Sequence, residues 1–254
     1  MIIDADVHLS PNLEGSTNIT AEELIDMMNK SGVDKAVTWL QPPYMREIDT
    51  LNRYIYEASI KYQDRILGFG WVDPHFGIEK SKDAIKRCIY EYGFYGIKLN
   101  GAQNSFFIDD PVMSMPLIEE VAKTGRVLAF HVGADDYERT HPYRVGKIAR
   151  MYPEIDILMV HMGGAAFNDI SSAAIEIAKE YKNITLIGSA IRTRSIIKAI
   201  RELGTERICF GSDTPFEIMH VEVARYNSIL DDVVDKQGKK NIMGGNIARI
   251  LRIS

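Results

Sequence analysis

The chain has 254 residues, of which 46% are hydrophobic and 26% charged, and its thirty Lys and Arg stand against thirty-five Asp and Glu for a net charge of −5. This profile is that of an ordinary globular protein with one large domain or two small ones. The mild acidity argues against a dedicated nucleic-acid binder, which usually has a basic excess. No apolar run in the sequence reaches the roughly 18 residues that a membrane-spanning helix needs.

The two cysteines, Cys88 and Cys209, lie far apart and form no CxxC pair. The sequence therefore predicts neither a disulfide framework nor a cysteine zinc site, and this usage is compatible with a reducing compartment. No basic and apolar leader precedes the first predicted strand. We therefore expect a soluble, cytoplasmic protein with no membrane or nucleic-acid partner.

The first predicted strand, residues 2–8, carries its polar side chains on one face. Successive side chains of a strand point to opposite faces, so Asp4, Asp6 and His8 share one side. Three titratable groups on one face are costly to bury unless something pairs with them, and a metal bound by carboxylate and imidazole would do so. A half-exposed edge strand is the alternative that this stretch leaves open.

The whole chain alternates between strand and helix patterns. Predicted strands begin near residues 2, 35, 66, 95, 126, 156, 184 and 207. The spacing of about 30 residues is the size of one βα unit, and eight units in this length are what a (β/α)8 TIM barrel needs. An open doubly wound sheet would carry a Gly-rich phosphate turn after its first strand, and none follows here. We predict an α/β fold, a single (β/α)8 TIM-barrel domain over residues 1–254.

In such a barrel the active site lies at the carboxyl ends of the strands. Polar residues recur at those predicted ends: Asp6, His8, Lys98, Asn100, His131, His161 and Asp213. Placing so many ionisable groups together at one end of the barrel costs free energy unless their charges are compensated, and a bound metal would compensate them. A catalytic zinc takes about three ligands from His and Asp or Glu and lowers the pKa of its bound water toward roughly 7.

The candidate ligands are Asp6, His8 and His131. Asp213 could ligate as well or act as general base, and His161 could polarise a substrate oxygen or shuttle a proton.

Other candidates are less specific. Arg192 and Arg194 follow the seventh strand and could bind a substrate carboxylate bidentately, or could be solvated residues at the start of a helix. The aromatic residues near strand ends could line a pocket or serve only in packing; they are Trp39, Tyr44, Trp71 and Phe216.

Several motifs resemble those of a known family. Asp4-x-Asp6-x-His8 resembles the Asp-x-His-x-His opening of the amidohydrolase superfamily, with Asp in place of the first metal-binding His. Residues 96–99, 130–133, 160–164 and 211–216 are similar to its signatures on strands four, five, six and eight. The ending, residues 245–251, resembles the last helix of the branch called amidohydrolase 2. The resemblance spans nearly the whole chain, with the motifs in the family's order.

The resemblance implies a set of site residues. Asp6, His8, His131 and Asp213 are implied to bind one divalent metal, usually zinc, with Asp213 as the base and His161 in substrate contact or proton transfer. An anionic oxygen ligand at Asp6 shifts the preference toward harder ions such as manganese. In two-metal members, a carbamylated lysine at the position of Lys98 bridges the ions, and His131 and His161 then bind the second ion.

We favour one metal. Lys98 is then a structural or substrate-side cation, and we assign substrate binding to Lys98, Asn100, Arg192 and Arg194.

The leading functional interpretation is a metal-dependent hydrolase of a small lactone, amide or ester. The alternative is a metal-dependent non-oxidative decarboxylase of a small aromatic or unsaturated carboxylic acid, because some decarboxylases of this branch carry an acidic residue at the position of Asp6. Those decarboxylases tend to be longer, which favours hydrolysis. A non-catalytic binding barrel is a third interpretation, although it has no need to cluster these groups. The branch often forms dimers, so the resemblance leaves a homodimer open.

Overall fold

The structure is a computed structural model, and it describes residues 1–11, 17–42, 48–165 and 169–253. Within these residues the strands are β1 (Ile3–Leu9), β2 (Lys35–Leu40), β3 (Ile66–Gly68), β4 (Gly70–Trp71), β5 (Gly96–Leu99), β6 (Val127–Gly133), β7 (Ile157–Gly164), β8 (Ile184–Ile187) and β9 (Ile208–Cys209). The α-helices are α1 (Ala21–Ser31), α2 (Ile48–Lys61), α3 (Ile78–Lys86), α4 (Gly101–Asn104), α5 (Met115–Thr124), α6 (Pro142–Met151), α7 (Ser171–Glu180), α8 (Thr193–Leu203), α9 (Met219–Val233), α10 (Lys236–Lys240) and α11 (Asn246–Leu251).

The strands pair in parallel and in chain order, β1-β2-β3 and then β4 through β9. The third predicted strand is present as β3 and β4, which are separated at Phe69. The N–H of Phe69 donates to the carbonyl of Thr38 on β2 at 2.9 Å, so the chain stays attached to β2 across this break. The described strands therefore reproduce the eight predicted βα units.

The chain beyond β9 returns to β1. The N–H of Ala5 donates to the carbonyl of Phe210 at 3.0 Å, and the N–H of His8 donates to the carbonyl of Thr214 at 2.8 Å. In the reverse direction, the N–H of Asp213 donates to the carbonyl of Asp6 at 2.9 Å. These hydrogen bonds place the end of the last strand beside the first, so that Asp6 and Asp213 are neighbours.

The first strand is buried on both faces. Its apolar side chains and its polar side chains are alike inaccessible, and Asp4 and Asp6 have no exposed surface. The half-exposed edge strand is therefore wrong, and the polar face of β1 points into the protein. Burying each large apolar side chain of the other face contributes about 1.5–3 kcal/mol, which offsets the cost of enclosing these charges.

The first helix begins and ends as its sequence predicts. Thr20 Oγ1 accepts a hydrogen bond from the N–H of Glu23, and the Glu23 carboxylate accepts from the N–H of Thr20. Gly32 ends the helix with a left-handed φ of 69°, a conformation that costs glycine little. None of the helices in the described ranges combines the length and hydrophobicity that crossing a bilayer would require.

Asp4 joins β1 to the chain after β9. Its Oδ1 accepts hydrogen bonds from the backbone N–H of Asp6 at 3.1 Å and of Ser212 at 2.8 Å. Its Oδ2 is buried with no hydrogen-bond partner among the described residues. Burial raises the pKa of Asp4 from 3.8 to about 7. Asp4 is thus a structural carboxyl, and its position below the strand end keeps it away from substrate.

Asp4→Asn should make the stability of the protein less dependent on pH. A carboxyl whose folded pKa is raised stabilises the fold at low pH, and this contribution is lost as pH rises from about 4 to about 7. Asparagine keeps the Oδ1 acceptor and does not ionise. The difference in unfolding free energy between wild type and variant should therefore fall by a few kcal/mol over that interval and then level off. Denaturant titrations at several pH values measure it; parallel pH curves would contradict the assignment.

Candidate active site

A cavity of about 660 Å³ opens at the carboxyl ends of the strands. Its lining includes five of the residues predicted at those ends: His8, Asn100, His131, His161 and Asp213. The structure therefore brings residues from the first, fourth, fifth, sixth and eighth predicted strands to one place. Arg192, from the loop after β8, also lines this cavity.

Asp6 lies at the base of this group and is fully buried. Its Oδ2 accepts a hydrogen bond from Ser189 Oγ. Its Oδ1 has no hydrogen-bond partner among the described residues, although His8 Nε2 lies 3.7 Å away and Lys98 Nζ lies 3.8 Å away. A buried carboxylate oxygen without a hydrogen bond is costly, so Oδ1 is an acceptor prepared for a cation.

His8 has its two ring nitrogens engaged by different partners. Its Nδ1 lies 2.8 Å from the carbonyl of Leu40, and because a carbonyl only accepts, Nδ1 carries the hydrogen. Nε2 lies 3.7 Å from Asp213 Oδ1 and accepts a hydrogen bond from Trp39 Nε1 at 3.2 Å. Burial lowers the pKa of His8 well below its ordinary value, so the ring is neutral. This is the protonation state in which histidine binds a metal.

Lys98 lies behind Asp6 and does not line the cavity. It is fully buried, its Nζ is 3.7 Å from the centroid of the Trp39 ring and 5.4 Å from that of Trp71, and Nζ has no hydrogen-bond partner among the described residues. Burial lowers its pKa to about 8, although the Asp6 carboxylate acts in the opposite direction. The geometry makes Lys98 the charge partner of Asp6; the predicted substrate contact has no support in this position.

His161, within β7, and Asp213, four residues beyond β9, both have left-handed backbones, with φ of 68° and 62°. Such conformations cost non-glycine residues on the order of 1–3 kcal/mol, and they are frequent at functional sites. Burial, followed by the charge of Asp6, raises the pKa of Asp213 well above its ordinary value. Burial also lowers the pKa of His161. One donor atom each from Asp6, His161 and Asp213 lie within 4.8 Å of one another.

His131 has a partner that the sequence analysis did not identify. Its Nε2 lies 2.9 and 3.0 Å from the two carboxylate oxygens of Asp135, and because a carboxylate only accepts, Nε2 carries a hydrogen. The ring packs edge-on against His161, with centroids 4.7 Å apart. Carboxylate-oriented imidazoles of this kind are frequent around metals and proton-transfer groups.

Two arginines, Arg192 and Arg225, line the cavity beside two glutamates, Glu217 and Glu222. Arg225 of α9 donates through Nε and Nη2 to Glu222 and through Nη1 to the carbonyl of Ile191, which leaves two of its five N–H groups without a partner in the described part of the chain. Arg192 Nε lies 3.9 Å from Asp169, and 61% of the Arg192 side chain is exposed. Sequence patterns gave no indication of Arg225 or Glu222.

The remaining predicted residues lie in different places. Asn100 lines the cavity, but its Oδ1 accepts a hydrogen bond from the N–H of Gln103 at 2.9 Å and caps α4. Arg194 lies in a separate groove on α8, away from the cavity. Of the aromatic residues, Phe216 lines the mouth, Trp39 and Trp71 are buried, and Tyr44 falls outside the described residues.

The residues present fit a divalent metal ion. Two carboxylates and neutral imidazoles converge, and one carboxylate oxygen is buried without a partner. Oxygen and nitrogen donors of this kind suit zinc and manganese alike. Among the predicted ligands, His8 Nε2 lies 3.7 Å from a carboxylate oxygen of Asp6 and 3.7 Å from one of Asp213. The ring of His131 is oriented by its hydrogen bond to Asp135. His161, which has a donor atom close to Asp6 and Asp213, is the alternative to His131 as a further ligand.

Comparisons with known proteins identify the family of the chain and related folds. A family model described as amidohydrolase matches residues 3–253. The chain is 24% identical over 249 residues to 2-amino-3-carboxymuconate-6-semialdehyde decarboxylase of Dictyostelium discoideum, covering 84% of this chain and 68% of the relative.

Among solved structures, an uncharacterised TIM-barrel protein from Bordetella bronchiseptica aligns with a TM-score of 0.79 at 16% identity over 99% of this chain and 98% of its own. A 5-carboxyvanillate decarboxylase from Novosphingobium aromaticivorans, complexed with manganese and 4-hydroxy-3-methoxy-5-nitrobenzoic acid, aligns with a TM-score of 0.79 at 17% identity over 100% of this chain and 96% of its own. These matches confirm the predicted (β/α)8 TIM-barrel fold.

Proposed function

The chain belongs to the amidohydrolase family, and we propose that it is a metal-dependent, non-oxidative decarboxylase of a small aromatic or unsaturated carboxylic acid. The observation that carries the proposal is one cavity lined by His161 and Asp213, whose donor atoms lie within 4.8 Å of that of the buried Asp6, and also by Arg192 and Arg225. A carboxylic acid can be held by such arginines while a second anionic group reaches the metal ligands. The decarboxylase names of the relatives support this choice over hydrolysis.

The hydrolase interpretation rests on the same residues. Its additional support was that decarboxylases of this branch tend to be longer than this chain. The chain spans 68% of the 2-amino-3-carboxymuconate-6-semialdehyde decarboxylase, so the difference in length remains, but the decarboxylase names of the relatives outweigh it. Hydrolysis therefore becomes the second candidate, to be separated by its products.

We assign the metal to Asp6, His8, His131 and Asp213. When bound there, a divalent ion supplies positive charge that holds an anionic oxygen of the substrate and withdraws electron density from it. Lys98, with its Nζ 3.8 Å from Asp6 Oδ1, offsets part of the negative charge of the ligand set. Lys98 is fully buried and does not line the cavity.

Decarboxylation needs a proton at the carbon that loses carbon dioxide. The bond to the carboxylate carbon breaks, its electron pair stays on the substrate carbon, and a proton closes that position. Asp213 is placed to deliver this proton because its carboxyl lines the cavity, where it can take a proton from solvent and pass it to the substrate carbon. Solvent then returns a proton to Asp213, so each turnover consumes one proton.

The walls of the cavity orient the acid and limit water. Arg225, two of whose N–H groups have no hydrogen-bond partner in the described part of the chain, and Arg192 bind an anionic substituent. Phe216 packs edge-on against His8 with ring centroids 5.5 Å apart, which covers one side of the site with an apolar surface. Exclusion of water strengthens the electrostatic interactions of the bound acid and favours loss of carbon dioxide over attack by water.

The test is a set of matched substrates. Manganese-loaded protein is incubated with hydroxybenzoic and unsaturated dicarboxylic acids, and in parallel with their methyl esters and related lactones. The proposal expects release of carbon dioxide from at least one acid, abolished by a chelator and restored by the metal. Turnover confined to the esters or lactones, without carbon dioxide, would reject decarboxylation and support the hydrolase.

Arg225→Gln should raise KM for the acid about tenfold or more and change kcat less. A charge-assisted hydrogen bond contributes about 1.5–3 kcal/mol, and Arg225 is half-buried, so the lower end applies. The matched control is Arg194→Gln, which removes the same charge from a groove outside the cavity. Steady-state kinetics of both variants test this assignment. Equal KM values for the two variants would show that Arg225 does not bind the substrate.

A further inference from the structure

Ser189 connects the two polar residues at the base of the cavity. It follows β8 by two residues and has no exposed surface. Its Oγ is hydrogen-bonded to Asp6 Oδ2 and lies 3.0 Å from His161 Nδ1. His161 Nδ1 and Asp6 Oδ2 are themselves 3.5 Å apart, so the three atoms form a closed triangle.

The number of hydrogens available to these three atoms determines the direction of the hydrogen bonds between them. A serine hydroxyl has one hydrogen to donate, and an ionised carboxylate can only accept. The hydroxyl hydrogen of Ser189 therefore goes to Asp6, and the Ser189 oxygen must accept from its remaining neighbour. The hydrogen in that second bond belongs to His161, so Nδ1 of His161 is protonated.

We propose that Ser189 is a positioning residue that keeps a hydrogen on His161 Nδ1, excludes that nitrogen from metal ligation and leaves Nε2 for the cavity. A hydrogen on Nδ1 leaves the lone pair of the ring on Nε2, so His161 can meet an ion or a substrate only through Nε2. Action of that nitrogen on the substrate is the further step. Only this last step rests on the proposed decarboxylase function.

The backbone around Ser189 is held rigidly enough to maintain this bond. The hydroxyl of Tyr226 donates to the carbonyl of Gly188 at 2.6 Å. A Cβ at position 188 would come within 2.0 Å of that Tyr226 oxygen, so only glycine allows the approach. Tyr226 is fully buried, and α9 thereby fixes the residue that precedes Ser189.

The test is the ring-nitrogen spectrum of the metal-free protein. Two-bond ¹H–¹⁵N correlation spectra of ¹⁵N-histidine-labelled protein report which nitrogen of each ring carries hydrogen, and the signals of His161 are identified by their absence in His161→Gln. We expect protonated Nδ1 in wild type. In Ser189→Ala we expect the hydrogen to distribute over both nitrogens, and in Ser189→Thr we expect it back on Nδ1. Wild-type protein with an unprotonated Nδ1, or Ser189→Ala with an unchanged spectrum, would overturn the proposal.

Ser81→Ala is the matched control, because it also removes a buried hydroxyl that donates a hydrogen bond, here to the carbonyl of Asp73. It should leave the His161 signals unchanged; an equal change in this variant would show that Ser189 acts through general packing.

Zinc, which is diamagnetic, gives a second readout on wild-type protein. Addition of one equivalent should leave the Nδ1 hydrogen of His161 in place while the signals of His8 shift. Loss of the Nδ1 hydrogen on zinc binding would make His161 a ligand through Nδ1 and overturn the proposal.

If a substrate acid is found, Ser189→Ala should lower kcat about 10–100-fold, with recovery in Ser189→Thr. Because both spectra need no substrate, they decide the proposal even if decarboxylation is rejected.

Discussion

Asp213→Asn is expected to lower kcat by about 10³-fold under metal-saturating conditions, because the amide cannot carry the proton that the substrate carbon requires. General acid–base groups contribute about 10²–10⁴-fold to turnover, and Asp213 is the cavity carboxyl that we propose as the proton donor. Asparagine is nearly isosteric, so the backbone hydrogen bond from Asp213 to Asp6 should persist.

Two measurements accompany this variant. Metal content after loading separates a lost ligand from a lost acid, since Asp213 is assigned to both roles. Asp73→Asn is the matched control, because Asp73 is also a buried carboxylate but its partners are His75 and Asn104, outside the cavity. The control should change kcat much less. An Asp213→Asn protein that binds metal and keeps more than a tenth of wild-type kcat would exclude Asp213 as the proton donor.

Asp6→Ala is expected to destabilise the metal-free protein by about 3 kcal/mol or more. Removing one member of a buried ion pair leaves the other charge uncompensated, which typically costs 3–5 kcal/mol. In the variant, Lys98 Nζ would still lie over the rings of Trp39 and Trp71, but it would lose its contact with the Asp6 carboxylate, which lies 3.8 Å away in the wild type. The double variant Asp6→Ala with Lys98→Met should recover much of the loss, and the resulting double-mutant cycle measures the coupling.

The penalty in Asp6→Ala should also depend on pH in a definite direction. Burial lowers the folded pKa of Lys98 from 10.5 to about 8 against the pull of Asp6, and removal of Asp6 lowers it further. A folded lysine with a lowered pKa binds protons more weakly than the unfolded chain, so stability falls as pH decreases below about 10. The variant should therefore lose more stability relative to wild type at pH 7 than at pH 9.5. Unfolding titrations that show equal losses at both values would mean that Lys98 is not the partner of Asp6.

The barrel could be predicted from local patterns because each βα unit repeats the same alternation. Strand parity placed Asp6 and His8 on one face, and the carboxyl-end rule gathered His131, His161 and Asp213 at one mouth, which the structure reproduces. The same rule applied to the seventh strand would have found Ser189, two residues beyond β8. These features depend on short-range periodicity, which the sequence displays directly.

Features that depend on the stagger between strands could not be predicted. Lys98 pairs in register with Trp71 across β4 and β5, and this register sets its depth behind Asp6. Arg192 and Arg194 are two residues apart at the start of α8, where neighbouring positions point in different directions, so one reaches the cavity and the other a separate groove. Arg225 enters the site only because α9 packs beside the mouth.

The reaction was the least predictable part. A carboxylate-and-histidine metal site supports both hydrolysis and decarboxylation, and the preference depends on which substrate groups the cavity walls hold. Those walls come from the loop after β8 and from α9, whose contact with each other through Arg225 and the carbonyl of Ile191 spans 34 residues of sequence. No local sequence pattern predicts a contact between residues so far apart in the chain.

The fate of solvent atoms tests the decarboxylase proposal most directly. An acid that the manganese-loaded protein consumes is turned over in D₂O and, separately, in H₂¹⁸O, and the product is analysed by mass spectrometry and NMR. We predict one carbon dioxide per product, one deuterium at the carbon that lost the carboxylate, and no solvent oxygen in the product. Incorporation of solvent oxygen into the product without release of carbon dioxide would contradict decarboxylation and establish hydrolysis at this site.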